Sequence, residues 1–210
     1  MALRTFVKIS QVNNLSDARY CAGMGVAMLG FNLEPGTLHY IEPHKFMDIT
    51  EWVAGVSFVA EFSDADPETI KRLLPEYPVD YLQTDRPDYL EELQQSGLPL
   101  ILRIEVNASS KADEVEQVMS SFQQQVSFFL VEATDKIVPD NDLYDSLLSL
   151  STKYQLVADF GFEASGINSL LDQYPIKGLA LKGGEEIRAG FKDFDQLADI
   201  LEALEIDEEY

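Results

Sequence analysis

Eight short apolar runs, each followed by a more polar segment, succeed one another along the whole chain. The runs are rich in Val, Ile, Leu and Phe and are bounded by turn or cap residues, as is typical of buried β-strands. They are Thr5–Ser10, Val26–Asn32, Val56–Phe62, Val79–Thr84, Leu98–Val106, Val126–Ala133, Gln155–Phe160 and Ile176–Lys182. Eight strand-then-helix units without a long interruption predict parallel βαβ connections that close into a barrel.

Several of the segments between the runs have helical period. They are Ser16–Met24, Glu68–Glu76, Ser110–Gln123, Asp140–Lys153 and Phe194–Leu204. Ser16 is a plausible cap of the first helix, and Asp66 before Pro67 predicts the start of the second. We predict one α/β domain over residues 1–210, a single (β/α)8 TIM barrel with an acidic C-terminal tail from about residue 205. An open, dinucleotide-binding sheet would show a glycine-rich turn after its first strand, and Gln11-Val12-Asn13-Asn14 is none.

The charge of the chain limits its partners. Its 37 acidic and 15 basic residues give a net charge of −22, which repels nucleic acid and anionic membranes. No apolar stretch approaches the ~18 residues of a membrane helix. The N-terminus lacks a signal-peptide pattern, and the single Cys21 cannot form an internal disulfide. We therefore expect a cytoplasmic protein that binds neither nucleic acid nor membrane.

Side-chain alternation predicts which residues enter the barrel. In the first strand, Val7 and Ile9 suit the layer between strands and helices, which turns Lys8 and Ser10 inward. Ser10 then stands at the end of its strand, on the face where barrels of this kind hold their active sites.

Other charged residues share the barrel interior by the same alternation. Arg103 and Glu105 lie inside strand five, and Glu132 lies inside strand six. Buried charges need partners, so either Lys8 pairs with Glu105 or Arg103 pairs with Glu132, and the sequence does not choose between these pairs.

Glycines follow the last two strands, where barrels often bind phosphate through backbone N–H groups. They are Gly161 and the pair Gly183-Gly184, which comes directly after Lys182. Lys182 favours contact with an anion at this corner. A turn that needs positive φ would explain the glycines about as well.

Several stretches together resemble the phosphoribosylanthranilate isomerases of tryptophan biosynthesis. They are residues 7–20, which carry the most specific match, residues 25–31, 39–41, 79–83 and 99–103, and at the end Gly184, Glu186 and Gly190-Phe191-Lys192-Asp193. The resemblance covers most of the chain in order. It implies a barrel enzyme that performs an Amadori rearrangement of an aminoaldose phosphate without a cofactor or metal.

The resemblance also implies roles for particular positions. The family's general base, a cysteine at the end of strand one, corresponds to Ser10, and its acid, an aspartate at the end of strand six, corresponds to Glu132. The arginine that holds the substrate carboxylate corresponds to His39. The family's glycine-rich loops correspond to residues 135–140, to Asp159-Phe160-Gly161 and to Lys182-Gly183-Gly184. A serine hydroxyl titrates far above a thiol, so we expect weak or lost isomerase activity.

Three functions stay open at this point. The first is an impaired isomerase homologue that binds a phosphorylated small molecule, as a monomer or homodimer. The second is a non-catalytic barrel for a ligand or partner, and the third is an enzyme acting on another sugar phosphate. Ser10 is then either a hydrogen-bonding cap of the mouth or a reacting group. Glu132 is either an acid or an ion-pair partner of Arg103, and Lys8 and Arg103 are candidate ligand contacts.

Overall fold

Eight parallel strands close into a barrel in chain order, with the first strand paired to the eighth. The computed structural model describes residues 2–134, 142–183, 186–188, 191–192 and 195–206. The strands are β1 Phe6–Ser10, β2 Met28–Asn32, β3 Ser57–Phe62, β4 Tyr81–Thr84, β5 Leu100–Val106, β6 Phe128–Ala133, β7 Leu156–Asp159 and β8 Gly178–Lys182. The predicted (β/α)8 barrel is confirmed.

A helix follows each strand. The helices are α1 Leu15–Gly23, α2 Pro43–Thr50, α3 Pro67–Leu73, α4 Leu90–Leu93, α5 Ala112–Phe122, α6 Asp142–Ser149, α7 Ala164–Gln173 and α8 Asp195–Ala203. Asp66 caps α3 by accepting from the Thr69 N–H at 2.9 Å, as predicted. The predicted Ser16 cap of α1 is wrong: the helix begins one residue earlier, and the Asn14 side chain accepts from the Asp17 N–H at 2.9 Å.

Two apolar layers surround the strands. The outer layer, between strands and helices, contains Val7 and Ile9, as the alternation predicts. The inner layer lies inside the barrel and consists of Met28, Val59, Ile101, Phe128, Leu130, Val157 and Ala180. Polar side chains replace this apolar layer toward the C-terminal ends of the strands, which is where a site can form.

A short antiparallel pair joins the two ends of the described chain. Ala2–Leu3 pairs with Glu205–Ile206, so the predicted acidic tail begins in this small sheet. Residues 207–210 lie outside the described residues. None of the helices in the described part of the chain combines the length and the hydropathy of a membrane span.

Candidate functional site

A buried polar cluster stands at the C-terminal end of β1. The alternation that packs Val7 and Ile9 outward turns Lys8 and Ser10 into the barrel, and both are buried. Lys8 Nζ donates to Ser10 Oγ at 2.7 Å and forms an ion pair with Glu61, near the end of β3. A fully buried ammonium group needs such partners, because its desolvation is otherwise costly. The nearest charged group to Ser10 is therefore a cation already bound to a carboxylate.

The predicted pairing of Lys8 with Glu105 is wrong. Lys8 reaches over β2 to Glu61 instead, and Gly30 on β2 makes the room: a Cβ there would overlap the Glu61 carboxylate and lie 2.9 Å from Lys8 Nζ. Glu105 lies across the barrel, 3.0 Å from Arg103 on its own strand. A glycine at the crossing thus determines which acid neutralises Lys8.

Arg103 on β5 gathers three carboxylates around its guanidinium group. Its Nε and Nη2 atoms donate to the two oxygens of Asp85 at 2.8 and 2.5 Å, and Nη1 donates to Glu132 Oε2 at 3.0 Å. Glu105 is the third carboxylate. The alternative that pairs Arg103 with Glu132 is therefore present. Burial works to lower the pKa of Arg103, but the bonded Asp85 and Glu132 carboxylates outweigh it and raise that pKa.

Glu132 on β6 has a cation on each carboxylate oxygen. Arg103 binds Oε2, and Lys182 at the end of β8 binds Oε1 with its Nζ at 2.8 Å. Burial works to raise the pKa of Glu132, but the two cations outweigh it and lower the pKa below its ordinary value. Glu132 is thus a fixed anion between β5 and β8. The anion that Lys182 contacts in the described residues is this carboxylate.

Asp159 ends β7 beside Glu132, with which it is in strand register. Within the described ranges, the one hydrogen bond that Asp159 accepts comes from the Gly161 N–H to its Oδ1 atom, at a long 3.5 Å. No cation in these ranges forms an ion pair with it. Burial and then the negative charge of Glu132 raise the pKa of Asp159 to about 6. Two adjacent carboxyl groups therefore have pKa values shifted in opposite directions, a pattern found where acid and base roles are divided.

Gln83 on β4 contributes an unsatisfied acceptor. The residue is 4% exposed, and its Oε1 atom has no hydrogen-bond partner in the part of the chain that the structure describes. It stands next to Glu61 in strand register. An unpaired buried acceptor costs about 1–3 kcal/mol, so a ligand that donated a hydrogen bond here would recover that cost. Gln83 was not among the residues predicted from the sequence, although its place next to outward-facing Leu82 indicates that its side chain enters the barrel.

Two residues near the mouth have positive φ without being glycine. Gln11 has φ +58° and donates its backbone N–H to Glu61 Oε2 at 3.2 Å. His39 has φ +64°. Its exposed ring places Nδ1 3.5 Å from Asn13 Nδ2. Such conformations cost about 1–3 kcal/mol and collect at functional sites.

The predicted anion corner is only partly described. The Gly183 N–H donates to the Ser10 carbonyl at 3.1 Å, and Gly161 has φ +65°, which supports the turn explanation there. Gly184 and residues 135–141 lie outside the described residues. The two described N–H groups that were predicted to face an anion, those of Gly161 and Gly183, instead donate to oxygen atoms of the protein.

All three cations of the described mouth contact carboxylates. Lys8 contacts Glu61, while Arg103 and Lys182 share Glu132. Over the described ranges, no group of three or more His, Cys, Asp or Glu residues is placed to hold a metal ion. Among the described residues, the site is therefore a hydrogen-bonding and ion-paired surface in which Gln83 offers an unpaired acceptor and burial raises the pKa of two carboxyl groups, Asp85 and Asp159.

Proteins of similar sequence and structure are known for this barrel. No protein-family model matches the chain. The chain is 26% identical, over 96% of its own length and 91% of the relative, to the N-(5'-phosphoribosyl)anthranilate isomerase of Synechococcus sp. (strain JA-2-3B'a(2-13)). The chain is a phosphoribosylanthranilate isomerase-like barrel. The resemblance that the sequence analysis found is confirmed.

Solved structures of these isomerases have the same fold. The monomers of the dimeric enzyme from Thermotoga maritima superpose with a TM-score of 0.76 at 19% identity, over 95% of this chain and 98% of that one. A second isomerase structure, in complex with reduced 1-(o-carboxyphenylamino)-1-deoxyribulose 5-phosphate, has a TM-score of 0.73 at 20% identity, over 95% and 98%. The likeness therefore spans nearly the whole of both chains.

Proposed function

We propose that this phosphoribosylanthranilate isomerase-like barrel keeps a site for a phosphorylated small molecule while its isomerase activity is weak or lost. The observation that carries the proposal is the 2.7 Å hydrogen bond from Lys8 Nζ to Ser10 Oγ. The hydroxyl at the position of the base accepts from an ammonium group, and that ammonium group is itself paired with Glu61.

A serine in this setting is a poor base. Its hydroxyl must lose its own proton before it can accept one from a substrate carbon, and this requires a neighbouring base. Lys8, the group bonded to it, is a donor bound to a carboxylate. The imidazole of His39, in the loop after β2, has its Nδ1 atom 3.5 Å from the side-chain amide of Asn13, in the loop after β1. Ser10 therefore acts as a hydrogen-bonding cap of the barrel mouth.

The positions of the acid and of the clamp support the same conclusion. An ionised Glu132 held by Arg103 and Lys182 has no proton to give. His39 has a single ring where an arginine would offer a planar, bidentate fork. Neither side chain matches the chemistry that the isomerase reaction needs.

The relatives support the class of ligand. They carry the name of the isomerase, and one solved structure holds a phosphorylated ligand. We propose a cytoplasmic monomer or homodimer that uses no cofactor and binds no nucleic acid, since the net charge of −22 opposes such binding. The raised pKa of Asp159 favours a second candidate, an enzyme on another sugar phosphate. Thermal shifts across a series of sugar phosphates would separate that candidate from a barrel that binds only a protein partner.

Ser10→Cys tests the proposal, with Ser10→Ala as the matched control. We expect kcat/KM for the phosphoribosyl substrate to rise at least about tenfold in Ser10→Cys, because the thiol supplies a base that the hydroxyl does not. Ser10→Ala should leave the weak wild-type value within about twofold, since a cap takes no part in proton transfer. A tenfold loss in Ser10→Ala with no gain in Ser10→Cys would mean that the hydroxyl itself reacts.

A further inference from the structure

The two carboxyl groups at the ends of β6 and β7 differ in what surrounds them. Both oxygens of Glu132 are occupied, one by Arg103 at 3.0 Å and one by Lys182 at 2.8 Å. A proton on either oxygen would displace a hydrogen bond from a charged donor, which is stronger than a hydrogen bond between neutral groups. Glu132 is therefore held in its ionised form.

Asp159 lacks this compensation. Over the residues that the structure describes, its carboxylate receives one weak backbone hydrogen bond, from Gly161 at 3.5 Å, and it is in register with the fixed negative charge of Glu132. A partly buried carboxylate beside a like charge favours the protonated form. In the described part of the chain, the charged groups that face it are Glu132 from β6, Lys182 from β8 and Lys8 from β1, and both lysines are already paired with other acids.

We propose that Asp159, rather than Glu132, is the carboxyl group of this mouth that donates a hydrogen bond, from its protonated form, to an oxygen of a bound sugar phosphate. The inference rests on the proposed function only for the class of ligand. The hydrogen-bond donor is then Asp159 at the end of β7, and not Glu132 on β6, which corresponds to the family's acid. Glu132 then acts as an anchor that positions Arg103 and Lys182.

The sign of the pH dependence follows from the raised pKa. Below about pH 6 Asp159 carries its proton and can donate, and above it the carboxylate repels an anionic ligand. Affinity for a sugar phosphate should therefore fall as the pH rises. Asp159→Asn keeps a donor at every pH and should remove this dependence. This variant should fold, because it replaces a partly buried carboxyl group by a neutral amide of nearly the same shape.

Carbon-13 NMR of the side-chain carboxyls, recorded on the whole protein between pH 4 and 8, tests the assignment without any ligand. Asp159 should titrate above Glu132. In Glu132→Gln the pKa of Asp159 should fall, because a like charge is removed and Lys182 is freed. A higher pKa for Glu132 than for Asp159, or an unchanged Asp159 pKa in Glu132→Gln, would overturn the proposal.

Binding of reduced 1-(o-carboxyphenylamino)-1-deoxyribulose 5-phosphate, measured by calorimetry at pH 5 and pH 7, tests the contact itself. The wild-type affinity should fall about tenfold more than that of Asp159→Asn, since the protonated fraction falls from about 0.9 to about 0.1. The ionisation of the ligand's own phosphate affects both proteins equally and cancels. Equal pH dependence in the two proteins, or no binding at either pH, overturns the donor role. Rapid isomerase turnover would instead overturn the proposed function and leave the carboxyl titrations unaffected.

Discussion

Lys8→Met is expected to lower the free energy of unfolding by about 3–5 kcal/mol, as measured by urea denaturation. The substitution leaves the buried Glu61 carboxyl group in the barrel mouth without its partner, and removal of one member of a buried ion pair has this cost. It also removes the donor to Ser10. An effect this large is a considerable part of the stability of an ordinary domain.

Two further variants make this result specific. Lys8→Met combined with Glu61→Leu should recover most of the loss, because an apolar pair of similar volume is often as stable as a buried ion pair. Lys153→Met removes an exposed lysine that contacts Glu116 at 2.7 Å, and it should cost at most about 1 kcal/mol. A loss below about 1 kcal/mol for Lys8→Met would contradict the buried ion pair that the structure shows.

The thiol introduced by Ser10→Cys should be unusually reactive. Lys8 Nζ lies 2.7 Å from the hydroxyl that the thiol replaces, and a neighbouring ammonium group stabilises a thiolate and lowers its pKa below about 8.5. We expect alkylation by iodoacetamide at pH 6.5 to be at least about tenfold faster than that of an ordinary cysteine. Mass spectrometry identifies the labelled site, and Cys21, which is fully buried, should stay unlabelled.

The control for this reactivity is the same thiol without the ammonium group. Ser10→Cys placed in the Lys8→Met, Glu61→Leu background should alkylate at the rate of an ordinary exposed cysteine or more slowly. Equal rates in the two backgrounds would show that Lys8 does not act on position 10. The comparison separates the charge of Lys8 from the accessibility of the mouth.

Local patterns were sufficient to predict the barrel. Each predicted apolar run contains one observed strand, and the ends differ by at most two residues. Strand alternation also placed Lys8 and Ser10 inside, because successive side chains on a strand point to opposite faces. Arg103 with Glu132 was one of the two alternative pairs, and their strands are neighbours in both sequence and space.

The partner of Lys8 could not be predicted in the same way. It depends on a side chain that is absent, at Gly30, and on a contact between strands that are not neighbours. Side-chain alternation predicts which face of the sheet a residue lies on, but it does not predict which acidic residue a long, flexible lysine side chain will contact. The opposite pKa shifts of Glu132 and Asp159 were also hidden in the sequence, since they depend on which cation reaches which carboxylate.

If Ser10 does not act as a base, the barrel should catalyse the isomerase reaction only weakly or not at all. Steady-state turnover of N-(5-phosphoribosyl)anthranilate by the purified wild-type protein measures this directly, with the isomerase of Synechococcus as the positive control. We predict kcat/KM below about 10² M⁻¹s⁻¹, well under the range of about 10⁴–10⁸ M⁻¹s⁻¹ that is usual for enzymes. A value of about 10⁴ M⁻¹s⁻¹ or more would contradict the claim that Ser10, bonded to Lys8, has replaced the base.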